Sequence, residues 1–116
     1  MRRSAVPDCI FDQIAAGKIP SDVVYQDETV IAFKDTHPKA PVHVLIIPKK
    51  HIASMLEITP PDLPVIAHML EVANIVAAKN GLKGYKLVVN TGPEAGQVVM
   101  HLHMHLLGGK KINVPV

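Results

Sequence analysis

Apolar positions Ile10, Phe11 and Ile14 recur at helical spacing between Asp8, which can cap, and Gly17, which can stop, so a short helix is predicted there. Two β-rich runs follow, Val23 to Gln26 and Thr29 to Phe33, around the turn at Asp27-Glu28. Val42 to Ile47 reads as a strand bracketed by Pro41 and Pro48, and its one polar interruption is His43. Thr59-Pro60-Pro61-Asp62 starts a long helix that runs to about Asn80 and stops at Gly81. Leu63, Ile66, Leu70, Ala73 and Ala77 form one stripe on it, and Val65, Met69, Val72 and Val76 a second. An apolar surface that wide predicts burial on two sides, by the chain's own sheet and by a partner. Gly84 to Thr91 and Val98 to Leu107 are two more strands, joined by the loop Gly92 to Gln97 and ended by Gly108-Gly109. The order is helix, three strands, helix, two strands with short connections, an α+β antiparallel sheet carrying its helices.

Composition narrows the class. Of 116 residues 48% are apolar but only 3% aromatic, with no Trp, so the core is aliphatic. The net charge of +2 is too small to argue for a nucleic-acid surface. No apolar run approaches the roughly 20 residues that span a bilayer. Cys9 is the single cysteine, so no intrachain disulfide forms and a reducing, cytoplasmic setting is expected. Residues 1–7 read as a short leader with no secretory core, and 8–116 as one domain.

The chemistry concentrates in His101-Leu102-His103-Met104-His105-Leu106-Leu107. On a strand His101, His103 and His105 share one face, about 6–7 Å apart, and the intervening apolar residues take the other. Neighbouring imidazoles repel each other's charge, so at least one stays neutral near pH 7 and the row offers a nucleophile beside an acid. A metal site is the alternative for three alternating histidines, but no carboxylate follows them. His43 must find a polar partner if buried. Gly96 allows a backbone N–H to approach a phosphate, or simply makes a turn. His37 and His68 read as surface residues.

The run His101 to Leu107 fits alternating His and apolar residues ending in two apolar positions, the signature of the histidine-triad (HIT) superfamily. Ile10-Phe11-Asp12-Gln13-Ile14, Ala32-Phe33-Lys34-Asp35, Pro38 to His43 and Ile47 to Ile52 resemble successive family segments. Gly84 to Asn90, Gly96-Gln97 and Leu107-Gly108-Gly109 resemble its Hint branch in particular. The resemblance implies a five-stranded antiparallel sheet with one short and one long helix, paired as a homodimer. It implies hydrolysis of purine nucleoside 5′-phosphoramidates or acyl-nucleotides through a nucleotidyl intermediate on His103. In it His105 contacts the phosphate, and His101 and His43 orient or relay protons. Asp35, with Thr36 beside it, receives the ribose; Asn90, Gly96, Gln97 and Val98 surround the phosphate; Ile10, Phe11, Ile14, Phe33 and Leu45 line the base pocket.

Two departures from the family pattern bear on function. Val98 stands where many relatives carry Ser, which predicts an altered rate or specificity. Some relatives hold a structural zinc through a Cys-x-x-Cys pair and two histidines. Here the matching set is Cys9, Asp12, His51 and His101, with Cys9 as a small buried hydrophobe the alternative; the reaction itself requires no cofactor. A dinucleoside polyphosphate hydrolase and a nucleotide-binding adaptor with incidental catalysis are the competing functions.

Overall fold

The computed structural model describes residues 9–110, so the leader and the proposed cap Asp8 lie outside the described residues. The elements are α1 (Ile10–Ala15), β1 (Val23–Gln26), β2 (Val30–Lys34), β3 (Val42–Pro48), α2 (Leu63–Lys79), β4 (Tyr85–Val88) and β5 (Met104–Gly108). The strands form one sheet in the order β1-β2-β3-β5-β4, with every neighbouring pair antiparallel. This is the predicted α+β architecture.

The central strands lack polar alternation because both faces of the sheet are covered. On one face Val30, Ala32, Val44, Ile46, Met104 and Leu106 pack against Met69, Val72, Ala73 and Val76 of α2. On the other Ile31, Phe33, Leu45 and Ile47 pack against Phe11 and Ile14 of α1. Each fully buried aliphatic contributes about 2 kcal/mol of burial, which gives the sheet a stiff centre. His43 shares a face with Leu45, and His103 and His105 share theirs opposite Met104, so the polar residues of interest lie under α1.

The start of α2 follows the predicted capping logic. Pro60–Asp62 form a 3-10 turn, and the Asp62 carboxylate accepts from the Thr59 N–H and hydroxyl, both at 3.0 Å. Lys50 Nζ reaches the same carboxylate at 2.6 Å. The helix ends at Asn80, with Gly81 at φ +64°.

The face of α2 buried against the sheet draws on both predicted stripes, while Leu63 and Leu70 are exposed in the single chain. Three expectations are corrected. The last strand starts at Met104 rather than Val98, and β4 stops at Val88 rather than Thr91. The stretch before Met104 is held instead by Gln97, whose Nε2 donates to the Ala53 and Val99 carbonyls at 2.7 and 3.0 Å, and by Leu102 N–H donating to Ile52 O at 2.7 Å. His68 is not a free surface residue. Its Nε2 lies 2.6 Å from Asp27 and its Nδ1 3.0 Å from Glu71, and those hydrogen bonds raise its pKa. The same Asp27 takes the Thr29 and Val30 N–H groups with its other oxygen, tying α2 to the β1–β2 turn. His37 is exposed, as expected.

Candidate functional site

The pairing of β3 with β5 sets Leu45 opposite His105 and His43 opposite Leu107, which places the two histidines side by side under α1. His101 and His103 precede β5, and Phe11 contacts the rings of both. The rings of His103 and His105 are 5.0 Å apart, closer than the 6–7 Å strand repeat because the side chains lean together. Phe11 presents its ring edge-on to His103 at 5.1 Å and to His101 at 5.9 Å, closing the row from above.

Main-chain partners fix the tautomers, because a carbonyl can only accept and an amide N–H can only donate. His103 Nδ1–H donates to the His101 carbonyl at 2.7 Å, which leaves Nε2 with a bare lone pair. His101 Nε2–H donates to the Pro48 carbonyl at 2.8 Å, so its bare nitrogen is Nδ1, 3.4 Å from Cys9 Sγ. Lys39 N–H donates to His43 Nδ1 at 3.0 Å; His43 Nε2–H then donates to His105 Nδ1 at 2.9 Å, and His105 keeps a proton on Nε2. Asp35 Oδ2 stands 3.4 Å from His43 Nε2. The row therefore presents the unprotonated Nε2 of His103 next to a hydrogen-bonded pair that can carry protons.

Burial lowers the pKa of His43, reinforced by Lys39 and opposed by Asp35. Burial, then the neighbouring His103 and His43, push His105 from its ordinary 6.5 down to about 4, with Asp35 opposing. Burial also lowers His101. These groups are neutral in the fold at pH 7. Between pH 6.5 and 4 the unfolded chain takes up protons that the folded chain refuses. Stability contributed by neutral His43, His101 and His105 is thus complete above about 6.5 and lost as pH falls towards 4. Thermal unfolding followed by circular dichroism is expected to show Tm declining through that interval; a Tm flat from pH 7 to 4.5 would contradict the assignment.

Phe11, Ile14, Phe33, Leu45, Asp35 and Thr36, with Ile10 at its edge, line one cavity of about 350 Å³. Val98 is not part of it; it is 89% exposed and lines a second cavity. Asn90 is half-buried just past β4. Gly96 and Gln97, expected near the phosphate, lie in the tight loop before the histidine row. Gly96, at φ +91°, turns its N–H to the Pro93 carbonyl at 3.0 Å. Gln97 is buried, its N–H donating to Gly92 O and its Oε1 accepting from Gly92 N–H. These bonds close the six-residue turn Gly92 to Gln97.

Among the described residues, two side-chain groups have the composition of a metal site: Cys9, Asp12, His51 and His101, and Asp35, His43 and His105, with ligating atoms within 4.8 Å of one another in each. The second does not suit a cation. His43 Nδ1 is occupied by an amide proton, so binding at Nε2 would demand an imidazolate. The first does suit one: His101 aims a bare Nδ1 at the cluster while Pro48 holds its other nitrogen, the usual outer support of a ligating histidine. His51 Nδ1 lies 2.7 Å from Asp12 Oδ2, and His101 Nδ1 3.5 Å from Asp12 Oδ1. Zinc accepts a Cys, Asp and two His donors. Sequence reasoning named all four, but missed the supports from Lys39 and Pro48, which act through main-chain atoms and leave no side-chain signal.

Among known proteins, the family described as "Scavenger mRNA decapping enzyme C-term binding" matches residues 8–113. The chain is 48% identical over 109 residues to an uncharacterised HIT-like protein of Synechococcus elongatus, covering 93% of this chain and 96% of that one. It is 43% identical over 118 residues to a 14 kDa zinc-binding protein of Zea mays, covering 99% and 92%. A solved HIT family hydrolase from Clostridium thermocellum superposes with a TM-score of 0.93 at 46% identity, covering 97% of this chain and 99% of that one. With the histidine row, the α+β sheet and these likenesses agreeing, the chain belongs to the histidine-triad family.

Proposed function

We propose that this protein is a purine nucleoside phosphoramidase of the Hint branch, hydrolysing adenosine or guanosine 5′-phosphoramidates, or acyl-nucleotides, through a nucleotidyl-His103 intermediate. The observation that carries this reading is the bare Nε2 of His103, fixed by the His101 carbonyl, beside the His43–His105 pair. The nucleoside occupies the cavity under α1, its base against Phe11, Phe33 and Leu45 and its ribose at Asp35. The anionic phosphoryl group lies by His105 and raises the proton affinity of the His43–His105 pair, so the pair enters the reaction carrying one extra proton. Asp35, 3.4 Å from His43, favours that charged form. His103 Nε2 bonds to phosphorus as the P–N bond breaks, and the pair gives its proton to the departing nitrogen. Water then displaces His103 from phosphorus and returns a proton to the pair. Two easier displacements replace one harder one.

Zinc, where bound, is held by Cys9, Asp12, His51 and His101. A closed four-donor set supplies structural cross-linking, tying α1 to the chain before β5, and takes no part in the displacement. Wild-type protein is accordingly expected to hydrolyse adenosine 5′-phosphoramidate in EDTA. Nucleotide binding without turnover would favour the adaptor reading.

The functional form is a homodimer in the cytoplasm. This rests on the exposed Leu63, Leu70 and Ile75 of α2, and on β4 being an edge strand with Tyr85 exposed. Light scattering at micromolar concentration is expected to give twice the chain mass, and a monomer would count against it.

A further inference from the structure

Cys9 and Asp12 stand about one helical turn apart at the start of α1, and both present donor atoms to the cluster with His51 and His101. Ile10 and Phe11, which lie between them, and Ile14 on the next turn line the nucleoside cavity. One turn of helix thus carries donors for a metal ion and a wall for a nucleoside. We propose that the two sites are coupled through this turn: a zinc ion on Cys9, Asp12, His51 and His101 tightens nucleoside binding, and nucleoside tightens zinc binding by the same factor.

The turn depends on its surroundings for its order. α1 has six residues, far below the roughly 12 at which an isolated helix is even marginal. No side-chain hydrogen bond from Cys9 caps its start. Its polar ties run to the cluster: Asp12 Oδ2 lies 2.7 Å from His51 Nδ1, while Asp12 Oδ1 and Cys9 Sγ lie 3.5 and 3.4 Å from His101 Nδ1. A metal ion bonded to all four donors gathers these ties onto one centre and holds α1 against the chain after β3 and the chain before β5. The nucleoside side shares the same parts. Phe11 meets Phe33 at 5.6 Å and the rings of His101 and His103 at 5.9 and 5.1 Å. His101 adds a second path, because its ring belongs to the cluster while its carbonyl accepts from His103 Nδ1–H at 2.7 Å. Whichever ligand binds first orders the turn, and the second finds it ordered. This inference rests on the nucleoside and zinc assignments above and adds a regulation of the nucleoside site.

The test measures zinc affinity of the full chain by competition with a chromophoric chelator, without and with saturating adenosine. Adenosine fills the nucleoside cavity and has no phosphate to bind the metal. It is expected to lower the zinc Kd by about fivefold or more, and zinc to lower the adenosine Kd, read by calorimetry, by the same factor. Zinc alone is expected to slow hydrogen exchange about tenfold at the Gln13 and Ala16 amides, which donate to the Cys9 and Asp12 carbonyls. Kd values that do not move, or exchange at these amides that zinc leaves unchanged, overturn the coupling and leave both single-site assignments standing. Absence of adenosine binding at millimolar concentration overturns the coupling together with the nucleoside reading. Absence of zinc binding at micromolar concentration overturns it together with the zinc assignment alone.

Discussion

His103→Asn is expected to lower phosphoramidate turnover by at least about a thousandfold while leaving the fold intact. Asparagine retains an N–H that can reach the His101 carbonyl, so the chain before β5 keeps its tie. It has no lone pair on nitrogen to offer phosphorus, so the covalent route closes. Proximity and the His43–His105 pair would still act on a water molecule, which is why some activity remains. The check is kcat in EDTA with Tm measured alongside. Unchanged Tm with lost turnover supports the assignment, and turnover within tenfold of wild type would remove His103 from the nucleophile's role.

His101→Ala is expected to do the opposite, costing stability first. The ring is fully buried, so its removal leaves a cavity and strands the Pro48 carbonyl without its donor. Together these cost about 3 kcal/mol, a fall in Tm of about 10 °C or more in a domain of this size. The substitution also removes the one donor nitrogen already bare and aimed at Cys9 and Asp12. Elemental analysis of protein refolded with zinc is therefore expected to give about one zinc per chain for wild type and far less for the variant. A His101→Ala protein as stable as wild type and equally loaded with zinc would contradict both assignments. The proposed reading thus separates two histidines of one motif: His101 would hold the site together, and His103 would react.

The motif is legible in the sequence because histidine alternates with apolar residues from His101 to Leu106, although of the three histidines only His105 lies within β5. His43 was equally legible, since a histidine within an aliphatic strand must be satisfied, and it finds Lys39 N–H and His105. What could not be read was the role of main-chain atoms. Nothing in the letters says that Pro48 O and His101 O accept from imidazoles and so decide which nitrogen each ring leaves bare. The inner bonding of the Gly96-Gln97 turn is hidden for a related reason: the Gly96 N–H donates to the Pro93 carbonyl, and Gln97 turns inward to brace Ala53 and Val99. The onset of β5 was placed early because Val98-Val99 carries strand propensity, which the Gln97 brace overrides. His68 looked like a surface residue because its partner Asp27 is 41 positions away.

The central claim is a covalent bond between His103 and the nucleotide's phosphorus. Mixing wild-type protein with adenosine 5′-phosphoramidate in EDTA, quenching within a turnover at neutral to alkaline pH and mapping peptides by mass spectrometry tests it directly. An adenylyl group is expected on the peptide containing His103, absent from the His103→Asn protein. Turnover in EDTA with no adduct at any quench time, or an adduct on His105 or His43 instead, would contradict the account.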